Sequence, residues 1–226
     1  MTVMPPSLPS LRVERMAAPL RHSVTDSIRH AIALGHFKPG ARLPERLLCE
    51  MTGVSRTLVR EALRQLESEG LIELLPHRGP VVSKLSRKEA TDLYMVRSEL
   101  EGLAAELFAE NASSEDHDRL QDALDRLRAE SKRGDPLELL KAKNTFYECM
   151  ISGTGNTALG DTLRLLNSRV TVLRATSLGA AGRAAESARE LQELVSALRA
   201  KDPVKARTLA VEHVRRAAEI ALQALE

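Results

Sequence analysis

Arginines recur every four residues in the stretch GVSRTLVREALRQLESEGL, which covers residues 53–71. Arg56, Arg60 and Arg64 would share one face of a helix, because residues four apart lie one turn apart. A guanidinium group presents a planar fork of N–H donors that matches O6 and N7 of guanine in the DNA major groove. The spacing is typical of a DNA-reading helix, and it is also typical of an amphipathic helix with a solvated cationic face.

The elements around this helix favour the DNA-reading alternative. Ser55 is a preferred N-cap residue, and Gly53 stands in the turn before it. A preceding helix is predicted from PERLLCEM, and an earlier one from near Ser23 to Gly35. Two short β segments, LIELL and PVVSKL, follow and are joined by residues 76–79. This order predicts a helix-turn-helix with a β-ribbon wing, and the wing supplies a second contact to DNA.

The chain after residue 86 has a different pattern. Leucine, valine and alanine recur at helical spacing, and short Gly-, Ser- or Pro-containing stretches separate the runs. Aromatic residues make up only 2% of the 226 residues, which disfavours a β-sandwich or barrel. We therefore predict a mainly α protein with three parts. These are a mobile N-terminal arm (1–20), a winged helix-turn-helix domain (21–85) and an all-α bundle of six to seven helices (86–226).

Charge and composition agree with that division and exclude several classes of protein. Residues 1–85 carry 12 Lys and Arg against 8 Asp and Glu, whereas the rest carries 21 against 23. A basic front part suits an anionic partner. The two cysteines are far apart, and no apolar run is long enough to span a bilayer or to act as a signal peptide, so we expect a cytoplasmic protein without a membrane partner. No nucleophile elbow, phosphate loop or HExxH motif appears, which argues against an enzyme.

Residues 41–82, ARLPERLLCEMTGVSRTLVREALRQLESEGLIELLPHRGPVV, resemble the winged helix-turn-helix of GntR-type bacterial transcription regulators. The helical remainder resembles the FCD ligand-binding domain of that family's fatty-acid-regulator branch. The similar segments are LYMVRSELEGLAAELFAE, GNTAL and ALRAKDPVKARTLAVEHVRRA. Together the two resemblances cover nearly all of the chain after the arm.

The resemblance implies contacts to operator DNA from the second helix, the recognition helix and the wing. The residues at the matching positions are Arg46, Ser55, Arg56, Thr57, Arg60, His77, Arg78 and Gly79. Leu58 departs from the proline that is frequent in the family at its position, and a contact does not depend on that proline. Arg64 lies further from the helix N-terminus, among Glu61, Glu67 and Glu69, and we expect it to pair with them at the surface.

Many relatives in this family bind a divalent metal in the helical domain, through an Asp and a His four residues apart and two further His. This sequence has Lys143, Tyr147 and Leu191 at three of those positions and keeps only His213. One neutral imidazole beside a lysine does not hold a metal. We therefore predict no metal and no cofactor.

Polar side chains nevertheless interrupt the apolar stripes of this domain. His213 lies between Leu209 and Ala217, and Arg97 lies between Leu93 and Leu100. A buried polar group needs a partner, which a bound ligand or the protein itself can supply. One alternative is a carboxylate effector held by Arg97, Asn144, Tyr147, Arg174 and His213. The other is that His213 is a core histidine already satisfied within the protein.

The combined pattern predicts a homodimeric transcription regulator that binds a palindromic operator and responds to a small organic acid. Repression is the commoner outcome in the family and is the sign we expect. Two alternatives stay open from the sequence. One is a metal-responsive member of the same family, and the other is a helical interaction scaffold that has lost specific DNA binding.

Overall fold

The computed structural model of the chain describes residues 18–223 and residue 225. Most of the predicted N-terminal arm, 1–20, lies outside these residues. Its last three residues are already part of helix α1 (Ala18–Ala33), so this helix includes residues before Ser23, where the sequence pattern placed its start.

The N-terminal unit is a winged helix-turn-helix, as predicted. It continues with α2 (Glu45–Thr52), α3 (Arg56–Ser68), β1 (Ile72–Leu75) and β2 (Gly79–Val82). Its core forms where the apolar faces of α1 and α3 meet, and Leu43, Leu48 and Ile72 close it from the other elements. The buried residues from the two helices are Val24, Ile28, Ile32, Val59, Ala62, Leu63 and Leu66. The arginine-bearing face of α3 therefore points away from this core.

The turn between α2 and α3 follows from two residues. Gly53 adopts φ 69°, a left-handed conformation that a glycine adopts without strain, and it ends α2. Ser55 is the N-cap of α3, and its hydroxyl accepts a hydrogen bond from the amide of Leu58 at 3.4 Å. These local devices set the angle at which the start of α3 is presented.

The wing is an antiparallel two-stranded ribbon. Ile72 is opposite Val82, and Leu75 is opposite Gly79, so the tight connection comprises residues 76–78. His77 and Gly79 both have positive φ, at 63° and 72°. The sequence pattern predicted the second strand at residues 80–85. In the structure, strand pairing ends at Val82, because the chain then turns toward the helical domain.

Seven helices follow in the described part of the chain, in agreement with the predicted bundle. They are α4 (Arg87–Asn111), α5 (Ser114–Arg133), α6 (Pro136–Gly153), α7 (Thr157–Arg169), α8 (Thr171–Gly179), α9 (Arg183–Arg199) and α10 (Pro203–Gln223). Capping boxes at Ser86 and Ser113 start α4 and α5, and Asp135 caps α6 ahead of Pro136. Helices α4 and α10 pack closely, since a Cβ at Gly102 would lie 2.7 Å from Val211. None of the described helices is long and apolar enough to cross a membrane.

One carboxylate connects the two units directly. Glu69, immediately after α3, accepts two hydrogen bonds from Nη2 of Arg29 in α1, at 2.8 and 3.0 Å. It also accepts a hydrogen bond from the hydroxyl of Ser168 in α7 at 2.5 Å. The C-terminal end of the arginine-bearing helix is therefore fixed to the helical bundle.

Candidate DNA-reading surface and buried charged cluster

The N-terminal end of α3 presents its polar side chains to solvent. Arg56 and Thr57 are exposed at the first two positions of the helix. Arg60 follows one turn later, 60% exposed, and its Nε donates to both carboxylate oxygens of Glu45 at 2.8 and 2.9 Å. Glu45 lies at the start of α2, so the helix-turn-helix itself orients the guanidinium group of Arg60.

Two further candidates flank that helix end. Arg46 is 84% exposed and pairs with Glu50 one turn along α2, at 2.9 Å. An ion pair between such exposed groups is weak and can exchange for a phosphate contact. Ser55 keeps its hydroxyl at the surface while capping α3. Both side chains are therefore accessible to a partner molecule.

The tip of the wing carries His77, Arg78 and Gly79. The side chains of His77 and Arg78 are exposed. No side chain at Gly79 shields the backbone, and a Cβ there would meet nothing within 4 Å. A bare, cationic turn of this kind suits close approach to phosphate.

The expectation for Arg64 was wrong. Arg64 is exposed and forms no ion pair with Glu61, Glu67 or Glu69, or with any other residue that the structure describes. Glu69 is instead engaged by Arg29 and Ser168. Arg64 lies two turns from Arg56, behind the helix end that carries the other candidates.

In the helical bundle, charged side chains meet in the interior. We call this set the buried charged cluster: Arg97, Glu101, Lys143, Tyr147, Arg174, Arg183, Ser187, Glu190 and His213. The first half of it surrounds Tyr147. Arg97 donates from Nε to Glu101 at 2.6 Å and from Nη2 to the Tyr147 hydroxyl at 3.5 Å. The guanidinium carbon of Arg174 lies 4.8 Å from the centre of the Tyr147 ring.

Arg174 is held from both sides by amide oxygens. Its Nη1 donates to Oδ1 of Asn144 and its Nη2 donates to Oδ1 of Asn167, each at 2.7 Å. Its Nε is buried without a hydrogen-bond partner among the described residues. Burial, followed by the positive charge of Arg97, lowers the pKa of Arg174 to about 10.

The other half of the cluster is built around Glu190. This carboxylate accepts hydrogen bonds from Nη1 and Nη2 of Arg183 at 2.9 and 2.8 Å. It also faces Nδ1 of His213 at 2.5 Å. Nζ of Lys143 lies 3.1 Å from Nε2 of His213 and donates to Ser187 at 2.5 Å. Both ring nitrogens of His213 therefore have partners within the protein.

The environment sets the charge state of these groups. Burial, and then the charges of Arg174, Arg183 and Arg97, hold the pKa of Lys143 well below its ordinary value. Burial and the neighbouring Lys143 lower the pKa of His213 to about 3. Burial opposes ionisation of Glu190, but hydrogen bonds from His213 and Arg183 outweigh it and lower its pKa to about 2. At neutral pH, Glu190 is therefore ionised beside a neutral imidazole.

The structure brings the five predicted effector residues together. Arg97 and Arg174 each contact Tyr147, Asn144 contacts Arg174, and His213 lines the same small cavity as the two arginines. Sequence reasoning missed five partners: Glu101, Lys143 as a polar member, Arg183, Ser187 and Glu190. The i to i+4 spacing of Arg97 and Glu101 could have revealed one of them. Lys143 lies four residues before Tyr147 on α6, so the same spacing could have revealed it as well. Arg183, Ser187 and Glu190 come from α9, and no local spacing relates them to the predicted residues.

A small cavity opens at the centre of this cluster. Its lining includes Tyr94, Arg97, Lys143, Arg174 and His213, and the space available to the centre of a water molecule is about 10 Å³. That is about the space that one water needs. A larger anion must therefore displace side chains as it enters.

The same residues do not fit a divalent metal. Of the family's metal-binding positions, only His213 carries a ligating imidazole, and its nitrogens face Lys143 and Glu190. The described residues contain no group of three His, Cys, Asp or Glu that is arranged to hold a metal. A lysine nitrogen 3.1 Å from Nε2 also occupies the direction in which a metal would bind.

Comparison with known proteins assigns both units. Residues 20–82 match the family model described as bacterial regulatory proteins, gntR family, and residues 92–216 match the FCD domain. A probable D-xylose utilization operon transcriptional repressor from Paenarthrobacter nicotinovorans is 31% identical over 193 residues, which is 84% of each chain. The uncharacterized regulator YdhC of Bacillus subtilis is 28% identical over 83% of this chain and 84% of its own length.

A solved structure shows the same arrangement of elements. Escherichia coli McbR/YncC superposes with a TM-score of 0.81 at 27% identity, covering 92% of this chain and 99% of that one. A GntR regulator from a Rhodococcus strain superposes with a TM-score of 0.77 at 24% identity and supports the fold.

Proposed function

The chain belongs to the GntR family of DNA-binding transcriptional regulators and carries an FCD domain, and from this premise we propose that a small organic anion, bound in the buried charged cluster, controls its affinity for operator DNA. The family is one of regulators, not enzymes. In this proposal residues 21–85 read DNA, and residues 86–226 bind the effector and dimerise.

An excess of buried positive charge supports the choice of an anion. Three arginines, Arg97, Arg174 and Arg183, are each no more than 5% exposed. The buried carboxylates beside them are Glu101 and Glu190, which leaves one positive charge without a partner carboxylate. The buried amine of Lys143 adds a fourth basic group. Uncompensated buried charge is costly, so an incoming carboxylate is stabilised there more than a neutral or cationic molecule.

A short series of contacts joins the cluster to α3. Arg174 holds Asn167 at 2.7 Å, and Asn167 precedes Ser168, which donates to Glu69 at the end of α3. A carboxylate that draws Arg174 toward itself would release Asn167 and disturb this connection. An effector shifts an equilibrium between two conformations only if it makes different contacts in each of them, and the contacts of Arg174 would differ in this way.

We propose a cytoplasmic homodimer that represses transcription by occupying a palindromic operator. Two symmetry-related recognition helices would read half-sites about one helical turn apart. The Paenarthrobacter relative, itself named as a probable repressor and matched over most of its length, supports this sign. The proposed DNA contacts are those of the exposed surface described above: Arg46, Ser55, Arg56, Thr57, Arg60, His77, Arg78 and Gly79.

Replacing Arg60 by alanine tests the DNA-reading surface. We expect binding to the DNA upstream of its own gene to weaken by about 5- to 150-fold, the equivalent of about 1–3 kcal/mol, with specificity relaxed at one base position. A gel-shift titration at fixed salt measures this. Arg64→Ala is the matched control, since Arg64 is exposed on the same helix but lies further from its N-terminus. Equal affinities and equal salt dependence for wild type and Arg60→Ala would remove Arg60 from the DNA-reading role.

Thermal-shift and calorimetric titrations with citrate, succinate and pyruvate test the effector site. At least one carboxylate should raise the melting temperature saturably, and Arg174→Met should weaken its binding by about tenfold or more, because a charge-assisted hydrogen bond is lost. Arg215→Met, at an exposed arginine of α10, should leave binding unchanged. Tight binding of zinc or nickel together with no response to organic acids would contradict the proposal.

A further inference from the structure

A second and much larger cavity lies between the winged unit and the helical bundle. Its volume is about 750 Å³. Ile32 of α1 and Leu71 line one side, whereas Leu140 of α6 and Leu173 and Leu178 of α8 line the other. The walls are therefore largely apolar, and the cavity is separate from the buried charged cluster.

The charged side chains that line this cavity are all positive. Lys38, Lys84 and Arg169 line it, and none of its lining residues within the described part of the chain is acidic. Hydrogen bonds from the hydroxyl and amide of Ser86, and then the positive charge of Arg169, lower the pKa of Glu89, so this carboxylate lies near Arg169 but is already bound by Ser86. An apolar space with an unbalanced cationic lining favours a ligand that is both hydrophobic and anionic.

Two hydrogen-bonding atoms of the lining are buried and have no hydrogen-bond partner among the residues that the structure describes. They are Nε of Arg169 and the hydroxyl oxygen of Ser83. Gly70 leaves room for the arginine, since a Cβ at that position would lie 3.1 Å from Nε of Arg169. Buried polar atoms are nearly always hydrogen-bonded, so an acceptor group that reached either atom would supply a bond that the described residues do not.

We propose that this cavity binds a hydrophobic monocarboxylate, with the carboxylate on Arg169 and Ser83 and the apolar body against the leucines of α6 and α8. The chain's own first 17 residues are a poorer occupant on charge grounds, because they carry two arginines against one glutamate. The site goes beyond the proposed effector function, which depends on a different set of residues. Its occupant would touch both units and would fix their relative placement.

Calorimetry on the full chain tests the site with 2-naphthoate as the probe. One molecule should bind per chain, and the isosteric neutral 2-naphthamide should bind at least tenfold more weakly. Arg169→Gln should weaken naphthoate binding at least tenfold. Arg126→Gln is the matched control, because Arg126 is exposed on α5 and uses no hydrogen bond or ion pair among the described residues, and it should change affinity less than twofold.

Filling the cavity supplies a second test that does not depend on charge. Ala184, half-buried in the lining, can be replaced by phenylalanine, and naphthoate binding should then be lost while naphthoate still binds the Arg126→Gln variant. The proposal is overturned if naphthoate and naphthamide bind equally, if Arg169→Gln binds as wild type does, or if no saturable binding occurs. An absence of saturable binding is also the result expected if another part of the chain or a second copy of it covers the cavity. Since none of these measurements involves DNA or the buried charged cluster, they fail independently of the proposed function.

Discussion

Replacing Glu190 by alanine is expected to lower the free energy of unfolding by about 3–5 kcal/mol, because it leaves buried positive charge without its partner. Glu190 accepts two hydrogen bonds from Arg183, which is 2% exposed, and one from Arg216 at 3.2 Å. It also fixes the ring of His213. Urea denaturation followed by circular dichroism at neutral pH measures the change.

Glu193→Ala is the control, since Glu193 lies on the same helix and is exposed. Its substitution should change stability by less than about 0.5 kcal/mol. The contribution of Glu190 should also depend on pH. Its folded-state pKa is lowered to about 2, so the stabilisation is present above the pKa of the unfolded chain and is lost as the pH falls toward 2. A difference between Glu190→Ala and wild type that stays constant from pH 6 to pH 2 would contradict the ion-pair account.

The DNA-reading unit could be predicted in detail because its devices are local. The cap at Ser55, the left-handed turn at Gly53 and the glycine of the wing are each specified by residues within a few positions of one another. The same holds for the capping boxes that begin α4 and α5. Local chemistry of this kind is visible in a sequence without any knowledge of tertiary packing.

The break between α7 and α8 was not predictable by that means. The apolar spacing continues through it, and no glycine or proline marks Val170, whose φ and ψ of −91° and 3° end one helix and begin the next. Tertiary packing explains the break, since Val172 contacts the core of the winged unit while Leu173 and Arg174 face the bundle. Helical spacing in the sequence therefore does not distinguish one helix from two in this stretch.

The buried charged cluster shows the same limit at the level of single residues. Arg97 and His213 were identifiable because each interrupts an apolar stripe. The partners of His213 were not, because Lys143 and Glu190 reach it from α6 and α9, and only the packing of these helices against α10 brings them into range. Lys143 was recognised as a departure from a metal-binding pattern, and the structure adds that its amine is a buried member of the cluster.

The buried amine of Lys143 gives the second prediction, which concerns the pH dependence of stability. In Lys143→Met, the stability gained relative to wild type should be greater at pH 7.5 than at pH 9, by at most about 2 kcal/mol. The folded protein holds the pKa of Lys143 well below its ordinary value, whereas the unfolded chain protonates it over this range. The unfolded state of wild type therefore binds more protons than the folded state, and the stability of wild type rises with pH by up to about 1.4 kcal/mol per unit. Methionine cannot bind that proton, so the slope due to Lys143 disappears.

Urea denaturation of both proteins at pH 7.5, 8.2 and 9 measures the slopes. Lys141→Met controls for loss of a lysine from the same helix, since Lys141 is 44% exposed and its pair with Glu138 lies at the surface, and its slope should match that of wild type. Loss of the contacts to Ser187 and His213 offsets part of the gain at every pH and does not alter the slope. Parallel slopes for wild type and Lys143→Met would mean that the folded protein keeps Lys143 charged. The cluster would then hold four positive side chains against two carboxylates, and an anion would be needed still more strongly.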